Sequence, residues 1–188
     1  MIETNANIYG DLQRILVTRE EIAAAVDKLG AQIAADYQGK ELLLVGILKG
    51  SVVFFADLMR AIDLPVKTEF MAVSSYGAAT KTSGVVNLVK DLTVDITGMH
   101  VLIVEDIVDS GMTLSYLKKY LSTRGAASIK IATLLDKPER RRVDLQADYF
   151  CFTIPDEFVV GYGLDYAEKY RNLPDIGVLS PRIYAAEE

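Results

Sequence analysis

Residues 101–114, VLIVEDIVDSGMTL, pass from a strand to a helix through a turn crowded with acids. Val101 to Val104 are aliphatic at every position, which calls for burial on both faces and hence a parallel sheet covered by helices on each side. The chain then turns polar within one residue. Glu105, Asp106 and Asp109 are therefore expected at the carboxyl end of the strand, where open α/β sheets bind their ligands. Ser110, Gly111 and Thr113 open a helix whose Leu114, Leu117 and Leu121 recur at spacings of three and four.

Such a turn can capture an anion beside a polyol. The first N–H groups of a helix lack internal partners, and the macrodipole places roughly half a positive charge there. Gly111 lets the backbone approach a phosphate, Met112 contributes its N–H, and Ser110 and Thr113 add hydroxyl donors. Glu105 and Asp106 only accept when ionised and suit the two hydroxyls of a ribose. The simpler alternative is an acidic loop capping a helix, with Ser110 as N-cap. Against it stands the coincidence of three acids, a small-residue turn and a buried strand.

The rest of the chain supplies the sheet around this unit. Thr18 and Glu21 form a capping box ahead of an apolar face of Ile22, Ala25, Val26, Leu29 and Ile33, and Gly39 marks the helix end. A strand at 41–47 leads through Lys49-Gly50-Ser51 into a helix over 52–62, and Pro65 separates that helix from a strand at 66–73. Residues 74–84 are small and polar and predict a loop, with a strand at 85–91 closing a hairpin. Strands at 128–135, 148–153 and 158–163 complete a β-α-β-α-β series, with IGVLS at 176–180 near the end. The alternation predicts an α/β fold in one domain, a mainly parallel twisted sheet with helices on both faces.

Several function classes are set aside by composition and motif. A net charge of −6 argues against a nucleic-acid binder, which concentrates Lys and Arg for phosphate contact. Cys151 is the only cysteine, so the chain reads as cytoplasmic, and its place in the apolar run DYFCFTI makes it a core residue. The opening MIETNANIYGDLQ lacks a secretory pattern, and LLLVGIL is far short of the ~20 residues of a spanning helix. His100 is the only histidine and reads as structural, leaving neither a Ser-His-Asp triad nor a His/Cys zinc site. No GxxxxGK[ST] loop occurs, and Gly161-Tyr162-Gly163 does not extend to GxGxxG. By pattern alone Lys137, beside Pro138, is a solvated loop lysine and Phe158 to Val160 are strand core.

VEDIVDSGMT resembles the phosphoribosyl-pyrophosphate signature of the type I phosphoribosyltransferases. LLLVGILKGSVVF (42–54), Ser75-Tyr76, LLDKPERR (134–141) and PDEFVVGYGLDYAEKYRNLP (155–174) resemble, in order, the remaining blocks of the hypoxanthine(-guanine) phosphoribosyltransferases. The likeness runs from about residue 10 to residue 180. It implies the type I fold with a small hood from about 1–15 and 155–188. It also implies transfer of phosphoribose from 5-phosphoribosyl 1-pyrophosphate (PRPP) to hypoxanthine or guanine, giving IMP or GMP and pyrophosphate.

The resemblance also assigns residues. The 5'-phosphate would lie on Asp109, Ser110, Gly111, Met112 and Thr113, the ribose on Glu105 and Asp106, and the pyrophosphate on Lys49, Gly50 and Arg171. The Leu48-Lys49 peptide is cis in some members. Lys137 would donate to the purine 6-oxo group, Phe158 would stack on the base, Val159 would present backbone groups to its edge, and Ser75 and Tyr76 would belong to a lid. Asp109 is the implied general base at purine N7, and Mg2+ the implied ion, held by Glu105, Asp106 and Asp165. Met112 stands where some members carry lysine, so a side-chain charge is lost there. Members are commonly dimers or tetramers, so a homodimer or homotetramer is expected, and for this chain no nucleic-acid or membrane partner is expected. A regulator on the same fold would carry a basic face or an added DNA-binding domain, and neither is visible. A pyrimidine or xanthine enzyme is opposed by Lys137 and FVVGYGLDY.

Overall fold

The computed structural model describes residues 8–75 and 86–185. Along the chain they form β1 (Leu12–Val17), α1 (Arg19–Asp36), β2 (Leu42–Leu48), α2 (Val52–Ala61), β3 (Val66–Ser75) and β4 (Val86–Lys90). Then follow β5 (His100–Val108), α3 (Met112–Ser122), β6 (Ser128–Asp136), β7 (Tyr149–Thr153), β8 (Val159–Val160), β9 (Ile176–Leu179) and the short α4 (Pro181–Tyr184). The main sheet has the order β4-β3-β2-β5-β6-β7. Every pairing in it is parallel except β3 with β4, which is the expected antiparallel hairpin. β3 runs on through residues 74 and 75 of the expected polar loop, and all of 76–85 between the two strands, Tyr76 included, lie outside the described residues.

Side chains alternate across a strand, so an all-aliphatic strand feeds two cores at once. Leu42, Leu44, Leu102 and Val104 pack with Ile22, Val26, Leu29 and Ile33 of α1 and Phe54 and Leu58 of α2. Their neighbours Leu43, Val45, Val101 and Ile103 pack on the other face with Leu114, Leu117 and Leu121 of α3. The expected mainly parallel sheet with helices on both faces is the one observed.

α1 begins as its sequence specifies. Glu21 N–H donates to Thr18 Oγ1 at 3.3 Å, and Thr18 N–H donates to Glu21 Oε2 at 2.8 Å. The Thr18 backbone bond, and then its hydroxyl, hold the Glu21 carboxyl below its ordinary value. Glu21 therefore supports the cap above the ordinary carboxylate pKa and ceases to as pH falls through its lowered native value. Thr18→Ala is expected to cost about 0.5–2 kcal/mol, read as a lower urea midpoint at unchanged slope. An unchanged midpoint would show that the cap contributes nothing. The helix itself closes at Asp36, a few residues before Gly39.

The end of the chain departs from the expected series. Instead of a strand over 158–163, only Val159–Val160 pair, and they pair antiparallel with β9 in a separate sheet of order β1-β9-β8. Gly161, Tyr162 and Gly163 have φ of 103°, 49° and 103°, which a strand cannot continue through. Gly161 instead exchanges 3.0 Å backbone bonds with Leu164 and turns the chain back. Val160, Tyr170, Leu173 and Leu179 form a small core for this second sheet. Cys151 is half-buried on β7, and burial pushes its thiol up to about 12, so it stays protonated and unreactive at neutral pH. No helix among the described residues is long and apolar enough to cross a membrane.

Candidate active site

β5 extends further than its aliphatic run. Glu105 lies opposite Thr133, Ile107 opposite Leu135 and Val108 opposite Asp136, so Glu105 and Asp106 are inside the strand rather than beyond it. The apolar signal ends early because β6 goes on supplying backbone partners under polar side chains. Both acids are half-buried. Asp106 N–H donates to Glu105 Oε1 at 3.3 Å and Ile107 N–H to Asp106 Oδ1 at 2.7 Å. Burial, then the charge of Asp106, raises Glu105 well above the ordinary carboxylate range; burial also raises Asp106, opposed in part by its bond to Glu105 and then by the Ile107 N–H.

The turn that follows is capped by glycine, not serine. Gly111 is the N-cap of α3 at φ 77°, in the left-handed region, while Ser110 Oγ accepts a 3.4 Å bond from Met112 N–H. A cavity of about 150 Å³ opens here between Glu105, Asp106, Asp109, Ser110, Gly111 and Thr113. Larger hollows of about 360 and 340 Å³ lie elsewhere, beside α1, α2 and Tyr162. The small one carries the helix N-terminus and the acids together, so its chemistry, not its size, singles it out.

A second wall is built from two loops. The Leu48-Lys49 peptide is cis, and Ser51 Oγ donates to Ile47 O at 2.6 Å. A Cβ added to Gly50 would come within 1.8 Å of Asp106 Oδ2, and one added to Gly163 within 2.2 Å of Gly50 O. The two loops and the β5 acid can meet only because both positions lack side chains. Arg171 ties this wall together, donating from Nη1 to Gly163 O at 2.7 Å and pairing through Nη2 with Asp165 Oδ1 at 2.9 Å. Asp165 Oδ2 accepts from Glu168 N–H at 2.9 Å. Tyr162 OH donates to Asp57 of α2, anchoring the same loop.

A third group gathers at the ends of β6 and β8. Lys137 is 4% exposed, contrary to the solvated loop lysine its neighbours suggested. Its backbone N–H reaches Val108 O at 3.0 Å, and its Nζ donates to Glu157 O at 2.8 Å and Asp156 Oδ1 at 3.4 Å. Arg140 lies 3.5 Å from Asp109 Oδ1 and 3.7 Å from Asp156 Oδ1, joining the phosphate turn to this group. Phe158 is 42% exposed, its ring 5.7 Å from Tyr166 and 5.3 Å from Tyr184, and is not core; Val159 beside it is buried. Among the described residues, Asp109 Oδ1 and Arg171 Nε are buried without a hydrogen-bond partner.

Comparison with known proteins decides the family. The phosphoribosyl transferase domain matches residues 14–167. A hypoxanthine-guanine phosphoribosyltransferase of Streptococcus pneumoniae is 58% identical over 95% of this chain and 99% of its own. The chain belongs to the hypoxanthine-guanine phosphoribosyltransferase family. A Bacillus subtilis protein of the same name is 52% identical over 93% of this chain and 97% of its own. The crystal structure of a hypoxanthine phosphoribosyltransferase from Staphylococcus aureus superposes with a TM-score of 0.92, at 50% identity, covering 97% of this chain and 99% of that one.

Within this phosphoribosyltransferase fold the structure brings Glu105, Asp106, Asp109, Ser110, Gly111 and Thr113 to one cavity and places Lys49, Gly50, Asp165 and Arg171 in the loops beside it. It does not gather Glu105, Asp106 and Asp165 into one cluster: among the described residues no group of three or more His, Cys, Asp or Glu could hold a metal by itself. Ser75 closes β3, and Tyr76 lies outside the described residues. Three positions escaped the sequence reading: Gly163, Glu168 and Arg140. The Gly-Tyr-Gly triplet was a visible signal for the first, since glycines flanking one residue mark a reversal rather than a strand.

Proposed function

We propose that the protein transfers the phosphoribosyl group of PRPP to N9 of hypoxanthine or guanine, releasing pyrophosphate and forming IMP or GMP. One observation carries this reading beyond family membership. Asp109, beside the phosphate turn, keeps a buried carboxylate oxygen with no hydrogen-bond donor among the described residues, while Arg140 and Asp156 link it to the buried Lys137. An acceptor with no hydrogen bond of its own, joined through Arg140 and Asp156 to a fixed ammonium, suits a purine, whose N7 proton and 6-oxo oxygen offer the complementary pair.

The residues divide the substrates between them. Backbone N–H groups at Ser110 to Thr113, including Met112, hold the 5'-phosphate against the start of α3, with Asp109 at the edge of the same loop. Glu105 and Asp106 accept from the ribose hydroxyls, and Lys49, Gly50 and Arg171 take the pyrophosphate, Arg171 Nε supplying a donor not otherwise used. Phe158 stacks on the base, Val159 offers backbone groups to its edge, and the β1-β9-β8 sheet, drawn from both chain ends, forms the hood. Asp109 takes or shares the N7 proton as the bond to N9 forms. Ser75 and Tyr76 are assigned to a lid that excludes water from an oxocarbenium-like centre.

The donor set fits magnesium. Glu105 and Asp106 are adjacent half-buried carboxyls whose raised pKa values a cation would relieve, and Mg2+ commonly takes one or two carboxylates plus substrate oxygens and waters. Asp165, engaged by Arg171 and Glu168, would act through water. When bound, the ion neutralises charge on the departing pyrophosphate.

The test is an assay of the purified protein with magnesium, PRPP and hypoxanthine, guanine or xanthine in turn. Nucleotide from none of them would sink the reading. Lys137→Met, close in volume, is expected to raise the base KM about ten- to hundredfold, the scale of one charged hydrogen bond, and to leave the KM for PRPP alone. The same proposal includes assembly as a homodimer or homotetramer, readable by light scattering.

A further inference from the structure

Lys49 and Arg171 come from distant parts of the chain, and one carboxylate joins them. Glu168 Oε2 lies 3.1 Å from Lys49 Nζ, and Glu168 Oε1 lies 3.6 Å from Arg171 Nη2. Each oxygen thus engages a different cation, as two oxygens of one phosphate would. The backbone delivers the carboxylate to that place: Glu168 has a φ of 62°, and its N–H is held by Asp165, itself paired with Arg171. The hydrogen bond from Lys49, followed by the charge of Lys49, keeps the Glu168 carboxyl below its ordinary value, so it is ionised at neutral pH. Both Lys49 and Glu168 have side chains about two-thirds exposed, at 68% and 66%, so an arriving anion can replace the pair without opening the core.

We propose that Glu168 is an internal anion that occupies the grip of Lys49 and Arg171 in the absence of substrate and competes with pyrophosphate for it. The inference rests on the assignment of those two residues to pyrophosphate. Two cations aimed at one point repel each other, and the carboxylate offsets that repulsion while the site is free. Pyrophosphate, with more charge, displaces it. On the way out the carboxylate returns to the same donors, which favours release of the product and equally weakens capture of PRPP.

Calorimetric titration of the full-length protein with magnesium pyrophosphate tests this. Glu168→Gln is expected to bind it about two- to fivefold more tightly, the scale of one exposed ion pair. The KM for PRPP should fall in parallel, the gain should shrink as salt is raised, and the KM for hypoxanthine should hold. Equal or weaker pyrophosphate binding by Glu168→Gln would overturn the proposal, because the carboxylate would then be inert or would be organising the grip. Lys49→Ala separates the two levels. If it leaves pyrophosphate affinity at the wild-type value, the assignment of Lys49 fails; if it weakens affinity while Glu168→Gln does not tighten it, only the competitor role fails.

Discussion

Asp109→Ala is expected to lower kcat for IMP formation by about a hundred- to ten-thousandfold, the usual contribution of a positioned proton acceptor. The side chain is 44% exposed and its ion pair with Arg140 is long, at 3.5 Å, so its removal should leave the fold and its melting temperature nearly unchanged. In the proposed assignment the 5'-phosphate rests mainly on backbone N–H groups, so the KM for PRPP should move far less than kcat. Asp109→Asn refines the result. It keeps the shape and loses the basicity, so a loss similar to that of alanine points to proton transfer, whereas substantial retention of rate points to a hydrogen-bond acceptor that only orients the base. Unchanged turnover in both variants would remove Asp109 from the chemistry.

Gly163→Ala should be nearly as damaging for a different reason. At φ 103° an L side chain is strained, and its Cβ would meet the Gly50 carbonyl at 2.2 Å. The clash is with backbone, so one of the two loops must move. Gly50 cannot retreat freely, because Asp106 Oδ2 lies 1.8 Å from where its own Cβ would be. The loop carrying Asp165 and Arg171 is therefore displaced from Lys49. A shift of about 1 Å at a positioned group can cost about a hundredfold, and a fall of at least that size is expected in kcat/KM for PRPP. Pyrophosphate affinity should fall while IMP affinity, which does not use that grip, changes less. Wild-type kcat/KM for PRPP with an intact fold would show that the contact between the loops does not position the pyrophosphate groups.

The two predictions draw on parts of the protein that differ in how openly the sequence displays them. Asp109 sits in a segment where strand, turn and helix follow one another within a few residues, so aliphatic periodicity, the glycine turn and the leucine spacing of α3 all bear on it directly. The Thr18–Glu21 cap and the two-faced strands β2 and β5 were readable for the same reason. Lys137 was not, because burial is a property of what folds over a residue: Glu157 and Asp156 close on its ammonium from a later part of the chain. β8 was placed in the wrong sheet because Phe158 to Gly163 carry a strand composition, while the positive φ values after Val160 come from a reversal packed against Asp175 and Gly50.

By itself the sequence determined the α/β architecture and the strand-turn-helix unit that brings three acids to the start of α3, since hydrophobic periodicity and a helix N-terminus act over neighbouring residues. Its resemblance to the phosphoribosyltransferases added the remaining residue types without their arrangement. Only the tertiary structure decided that Gly50 and Gly163 meet, that Arg171 faces Lys49 across that contact, and that Glu168 lies between them. Those relations depend on steric exclusion between segments more than a hundred residues apart. A missing Cβ allows them, and no local pattern records where the opposing backbone will lie.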